Sequence, residues 1–591
     1  MNRSFVSSFR FILIVVGILA CFAAVFGRLF YLQVIDQDKL SRIVESNRKT
    51  FQVISARRGD IVDARGELLA TTHEVYQIGV DPQSVKEEDY EKIPALAAIL
   101  RLPEAEIREK FDTRLREVKG PDGTEVRDVH WHKLADNISR DALLRIRELD
   151  IRAVYGNPQY RRVYPSTSLA AHTVGFINKE GTPVTGVEQW LDFYLRGQDG
   201  WREAERDGRR RELVQFQTRE VQPRSGLNVE LTLDMVIQHF AEEQVLDLVK
   251  KYQPQGVTII VSEPTTGYIL ALANYPSYNP NVFWKSSQEA LRNRALTDVY
   301  EPGSTFKIVA ASAALEERIV RPEDEVDCSL SVVEYKGREI RLPKDDHPIG
   351  KVSVEQVVVK SSNRGAALLG MRLGDDRLYK YARAFGYGEK TDLGLGGESR
   401  GILAEPARWD GLTISRLPMG HAVGATPLQV HMAMATIANR GVLMQPLVVR
   451  RLFDEHGDTA VSFDPVARRR VVSSDTAHTV AGMLAKVCSP EGTAREAMIP
   501  GYEAAGKTGT TQKLVNGQYS SQHHIGSFSG FFPASSPALV ITVVVDDPEL
   551  KGIGYGGKVA APAFRELAEK CAAYLGIPPS EGKPMLALSE R

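Results

Sequence analysis

The chain has 591 residues, 43% of them hydrophobic and 25% charged, which is an ordinary globular balance with room for several domains. Lys+Arg at 74 against Asp+Glu at 75 gives a formal net charge of −1, which excludes the basic excess of a nucleic-acid binder and the imbalance of an acidic disordered chain. Apolar length is concentrated at the N-terminus, which excludes a polytopic membrane protein.

That first element is FILIVVGILACFAAVFG, Phe11 to Gly27, uncharged and continuing past Arg28 as LFYLQVI to Ile35. A helix over 11–35 spans about 35 Å, enough to cross a hydrocarbon core of about 30 Å. Arg3 and Arg10 precede it and no acidic residue does, so the positive-inside rule predicts a cytoplasmic stub over 1–10 and everything after Arg28 outside. The run ends in bulky GRLFYLQV rather than small residues, which favours an uncleaved, single-pass anchor over a signal peptide.

Residues 36–224 read as an outer module, rich in charge. A helix over Gln37 to Asn47 is expected to pack on the anchor or a partner. β-like runs follow at Thr50–Ile54 and Val75–Val80, and helical ones at Glu91–Leu100 and Arg140–Leu149. Arg202, Arg206 and Arg209 to Arg211 read as a solvated face. From Leu227 the composition shifts. NVELTLD alternates as a strand, and MVIQHFAEEQVLDLVKKY has helical spacing. GVTIIVS (256–262) and YILALA (268–273), separated by EPTTG, predict a hairpin turning at Gly267. A second strand set is expected at Ser527–Phe532 and Ala538–Val545, with helical material between the two sets. This pattern predicts an α+β fold over 225–577, and 578–591 reads as a disordered tail.

Three short motifs lie within it. In EPGSTFK, Pro302 and Gly303 are turn formers before an apolar-rich run, so Ser304 falls at a helix N-terminus with Lys307 one turn on. A serine needs a base to become a nucleophile, and a desolvated lysine supplies one. In KSSN, Lys360 to Asn363, Ser361 offers a hydroxyl for proton relay and Asn363 an amide to grip a peptide backbone. In GKTGTT, Gly506 to Thr511, Lys507 and the hydroxyls of Thr508 and Thr510 suit a carboxylate, and Gly509 lets a substrate backbone approach. Each motif alone has an ordinary reading as a helix cap, a helix end or a polar turn.

Together, in the order SxxK, SxN, KTG, they mark penicillin-binding proteins and related β-lactamases, and the sequence resembles the class B penicillin-binding proteins. EPTTGYILALANYPSYNPN (263–281), GATPLQVHMAMATIANRG (424–441) and YGGKVAAPAF (555–564) resemble the transpeptidase domain. RRGDIVDARG (57–66), YPSTSLAAHTVGFIN (164–178) and GVEQWLDFYLRGQDG (186–200) resemble the pedestal. One departure is DARG at Asp63, where the family more often has DRNG. The resemblance implies an antiparallel five-stranded sheet flanked by helices, on an elongated mixed α/β pedestal with one transmembrane helix. It implies a serine D,D-transpeptidase that cross-links peptidoglycan stem peptides, is a target of β-lactams and uses no metal or organic cofactor. Ser304, Lys307, Ser361 and Lys507 would be catalytic, and Asn363, Thr508, Gly509 and Thr510 would bind substrate. The amides of Ser304 and Thr510 would form an oxyanion hole. The short pedestal and the contexts of YPSYNPN and EPGSTFK look most like the division-specific septal branch, implying an inner-membrane protein with its bulk in the periplasm or outside, a glycosyltransferase partner and other division proteins. The alternatives are an elongation-specific transpeptidase, a β-lactam sensor or β-lactamase, and a non-catalytic division scaffold.

The remaining tempting residues have plainer readings. Cys328, Asp345, Asp346 and His347 match no standard zinc spacing. His523 and His524 read as strand or loop residues near the third motif. Cys21, Cys328, Cys488 and Cys571 form no CxxC.

Overall fold

The computed structural model describes residues 8–38, 49–120, 123–205, 219–515, 517–550 and 554–580. The chain divides into two units, one made of residues up to Arg57 with Gly197–Gly226, the other of Arg58–Arg196 with everything from Leu227.

In the first unit the apolar run forms an α-helix, Ser8–Phe30, continued by a π-helical turn, Tyr31–Ile35. The apolar span Phe9–Ile35 is long and apolar enough to cross a membrane, and its most apolar stretch is not buried by protein. It carries no polar stripe and hence no face suited to a water–core boundary. Lys49–Ile54, Gly200–Glu205 and Arg219–Val221 form a three-stranded antiparallel sheet with Gly200–Glu205 in the middle. Phe51 stacks on Trp201 at 5.4 Å between ring centroids. Most of the predicted helix over 37–47, together with Arg206 and Arg209–Arg211, lies outside the described residues.

In the second unit Leu68–Val80 is the long strand of a mixed sheet, paired with Ile61–Val62, His132–Ile138 and Val154–Val163. The sheet continues without a break. Asn228–Leu231 pairs in parallel with Ile61–Val62 and antiparallel with Val449–Phe453, whose hairpin partner Thr459–Ser462 closes that side. The stretch between the two strand sets, read as helical, therefore also carries hairpins. In Val449–Phe453 the ends and Leu452 are drawn inward while Arg450 stays exposed, the signature of a half-buried strand too short to outweigh the helical pattern around it.

A buried ion cluster lies under this sheet. Glu188 is fully buried and accepts from Arg58 Nε at 2.8 Å and Arg162 Nε at 2.7 Å. Arg58 also reaches Asp192 at 2.5 Å, and Arg162 donates to Gly59 O and Thr72 Oγ1 at 2.6 and 3.0 Å. Both guanidiniums are thus held by several acceptors, as buried cations must be.

The second sheet has five antiparallel strands in the order Ile269–Tyr275, Gly256–Ser262, Leu539–Asp546, Gln518–Phe532, Ala505–Val515. Gly267 turns the first hairpin at φ +77°. Gly256–Ser262 is buried at every position and Leu539–Asp546 at all but its last, which explains apolar β-branched runs instead of alternation. Helix Met235–Tyr252, capped by Asp234 on the amides of Val236 and Ile237, packs on the sheet with Ala561–Leu575. Helices Lys307–Glu316, Pro427–Ala438 and Ser474–Val487 form a second packed group. Ala505–Val515 is left as an edge strand, and on it stand Lys507, Thr508, Gly509 and Thr510. Near the C-terminus, Ser580 bonds through its amide to Gly501 O and through its hydroxyl to the Glu503 amide, each at 2.9 Å.

Candidate active site

Ser304 lies in a 3₁₀ turn, Gly303–Phe306, which runs directly into the α-helix Lys307–Glu316. The turn is wedged between two backbones. On one side Gly303 N–H donates to Gly420 O at 3.1 Å, and a Cβ on Gly420 would come within 2.0 Å of Gly303 O. On the other, a Cβ on Gly509 would meet Ser527 Oγ at 2.4 Å and Pro302 O at 2.9 Å. Glycine at both places lets the edge strand and the 420 turn close on the serine's turn. Ser304 is half-buried, and its hydroxyl has no hydrogen-bond partner among the described residues.

Helix Val354–Val359 ends at Lys360, and Ser361 takes φ +60°, a left-handed conformation unusual for a residue with a side chain. Ser362 then caps the next helix, Asn363–Leu373, accepting from Gly365 N–H at 2.9 Å. The sharp turn brings Ser361 and Asn363 onto the lysines. Lys307 Nζ donates to Ser361 O at 2.5 Å, Ser361 Oγ at 3.1 Å and Asn363 Oδ1 at 2.7 Å. Lys507 Nζ donates to Ser361 Oγ at 2.9 Å and lies 3.4 Å from Thr508 Oγ1.

Neither lysine has a carboxylate in ion-pair contact among the described residues, and both are buried, at 2% and 0% exposure. Burial pulls Lys507 down from 10.5 to about 7. Burial, reinforced by the nearby Lys507 charge, also pulls Lys307 well below the usual lysine range, against the opposing field of Asp345 and Asp346. Amines so shifted offer a lone pair near neutral pH. The structure therefore brings Lys307 and Lys507 together on the Ser361 hydroxyl, with Asn363 bound to the first amine and Thr508 beside the second. Gly509 lies against the Ser304 turn, while the Thr510 hydroxyl accepts from Gly556 N–H at 3.1 Å and keeps its own proton free to donate.

Asp345, which with Cys328, Asp346 and His347 matches no standard zinc spacing, has a structural part that the sequence reading does not assign. Its Oδ1 accepts from the amides of Asn363 and Arg364, and its Oδ2 from Ser362 Oγ at 2.9 Å. A carboxylate at this helix start satisfies free amides and holds the turn that presents Ser361 and Asn363. Cys328 is buried below, 3.1 Å from where a Gly365 side chain would begin, and His347 is exposed. The two histidines leave the cluster: His523 Nδ1 lies 2.8 Å from Asp547 Oδ2, and His524 is buried opposite Gln512.

Residues 257–569 match the penicillin binding protein transpeptidase domain, and 53–231 the penicillin-binding protein dimerisation domain. The chain is 32% identical over 564 residues to peptidoglycan D,D-transpeptidase FtsI of Escherichia coli K12, covering 94% of this chain and 90% of that one. It is 31% identical over 562 residues to stage V sporulation protein D of Bacillus subtilis, covering 94% and 84%. Among solved structures it is similar to penicillin binding protein 3 from Mycobacterium tuberculosis complexed with aztreonam, with a TM-score of 0.68 and 28% identity over 91% of this chain and all of that one.

Proposed function

The chain belongs to the penicillin-binding proteins that join a dimerisation domain to a transpeptidase domain, and from that premise we propose how its residues share a D,D-transpeptidation. Ser304 attacks the carbonyl between the two D-Ala residues of a donor stem peptide. Lys307 takes the serine proton, and Ser361 passes a proton to the departing D-Ala amine within the field of Lys507. The carbonyl oxygen, anionic in the tetrahedral intermediate, is received by the amides of Ser304 and Thr510, a type of contribution worth about 3–4 kcal/mol per donor. Thr510 N falls 3.5 Å from where a Gly303 side chain would begin, which supports its place beside the serine's turn. Asn363 holds the donor backbone, and Thr508 and Thr510 hold the terminal carboxylate, or that of a β-lactam. The acyl group then passes to an amine of a neighbouring strand, releasing Ser304. The observation that carries this assignment is the convergence of two buried lysine amines on the Ser361 hydroxyl within 3.1 Å.

Ser304→Ala should abolish covalent labelling by a fluorescent penicillin while the protein stays folded; labelling that persists would overturn the assignment. Fast turnover of nitrocefin by the wild type would point to a β-lactamase instead.

We assign the enzyme to septal wall synthesis, working outside the cytoplasmic membrane on a single anchor, beside a membrane glycosyltransferase and other division proteins. The reading is supported by the short pedestal, by 32% identity to FtsI and by the apolar helix Phe9–Ile35 behind a basic stub. Depletion should make cells filament. Rounded cells would favour an elongation role, and unaffected growth with failed spores a sporulation role, the reading that the Bacillus relative favours.

A further inference from the structure

One side chain just before the Ser304 turn touches two separate pieces of chain, the 420–422 turn and the strand that bears Tyr519. Glu301 lies three residues before Ser304. Its Oε1 accepts from Ala422 N–H at 3.0 Å. Its carboxylate also accepts from Tyr519 O–H, at 3.0 Å to Oε1 and 3.1 Å to Oε2. His421 Nε2 faces Oε2 at 3.8 Å, and His421 Nδ1 is enclosed without a hydrogen-bond partner among the described residues. Ala422 belongs to the turn whose Gly420 is pressed on Gly303, and it stands at φ +61°, which a residue with a Cβ rarely adopts. Tyr519 stands on Gln518–Phe532, the hairpin partner of the strand that carries Lys507 to Thr510.

We infer that Glu301 is a positioning residue for acylation: its carboxylate clasps the strained 420–422 turn and the hairpin strand bearing Tyr519 to the turn that presents Ser304, fixing the serine against the lysine-bearing strand. This rests on the transpeptidase reading above. The backbones around Gly303 meet with no space for a side chain, so sterics limit how near they come. Backbone bonds from Gly303 N–H to Gly420 O and between Tyr300 and Ala425 hold the 420 turn, and the Glu301 carboxylate adds side-chain bonds that tie both that turn and the Tyr519 strand to the same segment. A displacement of about 1 Å between nucleophile and catalytic groups can cost roughly 100-fold in rate. The chemistry needed is that of an acceptor for two donors. A carboxamide oxygen meets it and a methyl does not.

The test is acylation of the full-length protein by a chromogenic penicillin, separating the limiting rate at saturation from the half-saturating concentration. Wild type that is not acylated at Ser304 would sink the transpeptidase reading and is the control for it. Given acylated wild type, Glu301→Ala should lower the limiting rate by roughly 30- to 100-fold with little change in half-saturation. Glu301→Gln should recover it to within about threefold, because its amide oxygen can accept both bonds. Tyr519→Phe should be slower than wild type, and Glu301→Ala with Tyr519→Phe should be no slower than Glu301→Ala alone, since both remove the same tie. Glu301→Gln as slow as Glu301→Ala would overturn the clasp by showing that the charge matters. A loss confined to half-saturation would overturn it by making Glu301 a ligand contact, and additive losses in the double variant would overturn it by separating the two residues.

Discussion

Lys507→Met is the most informative perturbation of the site, because its effect on stability has a sign opposite to its effect on chemistry. Lys507 is fully buried, its amine bonded to the Ser361 hydroxyl. Burial brings it from 10.5 to about 7. Between those pH values the unfolded chain binds a proton that the native chain does not, so stability rises with pH across the window. Below pH 7 both states are protonated and the native state bears the full cost of a buried ammonium, about 4–5 kcal/mol by linkage. At pH 7 about 4 kcal/mol remains, and at pH 9 about 2 kcal/mol. Methionine has similar length and no charge to desolvate, so the variant should be the more stable protein near neutrality, while penicillin labelling is lost. Chemical unfolding midpoints of both proteins in detergent at pH 7, 8 and 9 would show the gap closing by about 2 kcal/mol. Lys307 stays in both proteins, but the variant relieves it of the Lys507 charge that helps hold it down, which favours the variant in the same direction. Parallel pH profiles for the two proteins would refute the reasoning, since they would mean that Lys507 titrates alike folded and unfolded.

Glu188→Ala leaves Arg58 and Arg162 buried without their shared anion and should cost about 3–5 kcal/mol of stability, read as a fall in the thermal midpoint, with Glu188→Gln falling less. Gly509→Ala places a methyl 2.4 Å from Ser527 Oγ and 2.9 Å from Pro302 O; the strand must move off the Ser304 turn, and acylation should slow by roughly 10- to 100-fold, whereas unchanged acylation would show that the strand is not held there. Thr510→Val removes a hydroxyl that accepts from Gly556 N–H and can donate to a carboxylate. A penicillin acid should be slowed about 10-fold more than its neutral ester, and equal slowing would reduce the residue to a support for the strand.

The parts of the site that could be read from sequence are those whose chemistry is local. SxxK places its lysine by helical pitch, and Gly509 announces a close backbone. The two central strands of the second sheet were legible as buried β-branched runs, while the five-stranded sheet itself is what the family resemblance implies. What escaped depends on contacts across distance. Asp345 lies 18 residues from Asn363, and the motif itself does not show that a loop acid will cap its turn. Ser361 gives no sign of its left-handed backbone, since serine has no preference that would announce it. Glu301 reads as the first residue of a turn, and its donors come from Ala422 and Tyr519, more than a hundred residues away. Strand Ile61–Val62 is two residues long and carries no periodicity, yet the mixed sheet passes through it.

That mixed sheet bears on how such chains can exchange parts. Val229 and Leu231 are fully buried in a strand that bonds to Ile61–Val62 on one side and Val449–Phe453 on the other. A chimaera joined near residue 225 would graft a foreign pedestal onto a hairpin, Val449–Ser462, shaped by its original neighbour. A fragment starting there would expose one side of Asn228–Leu231 as an unpaired edge, open to intermolecular strand pairing. Recombination between relatives should therefore survive best when the segment around 449–462 travels with residues 58–196, so that the unit of inheritance is discontinuous in sequence although continuous in the sheet.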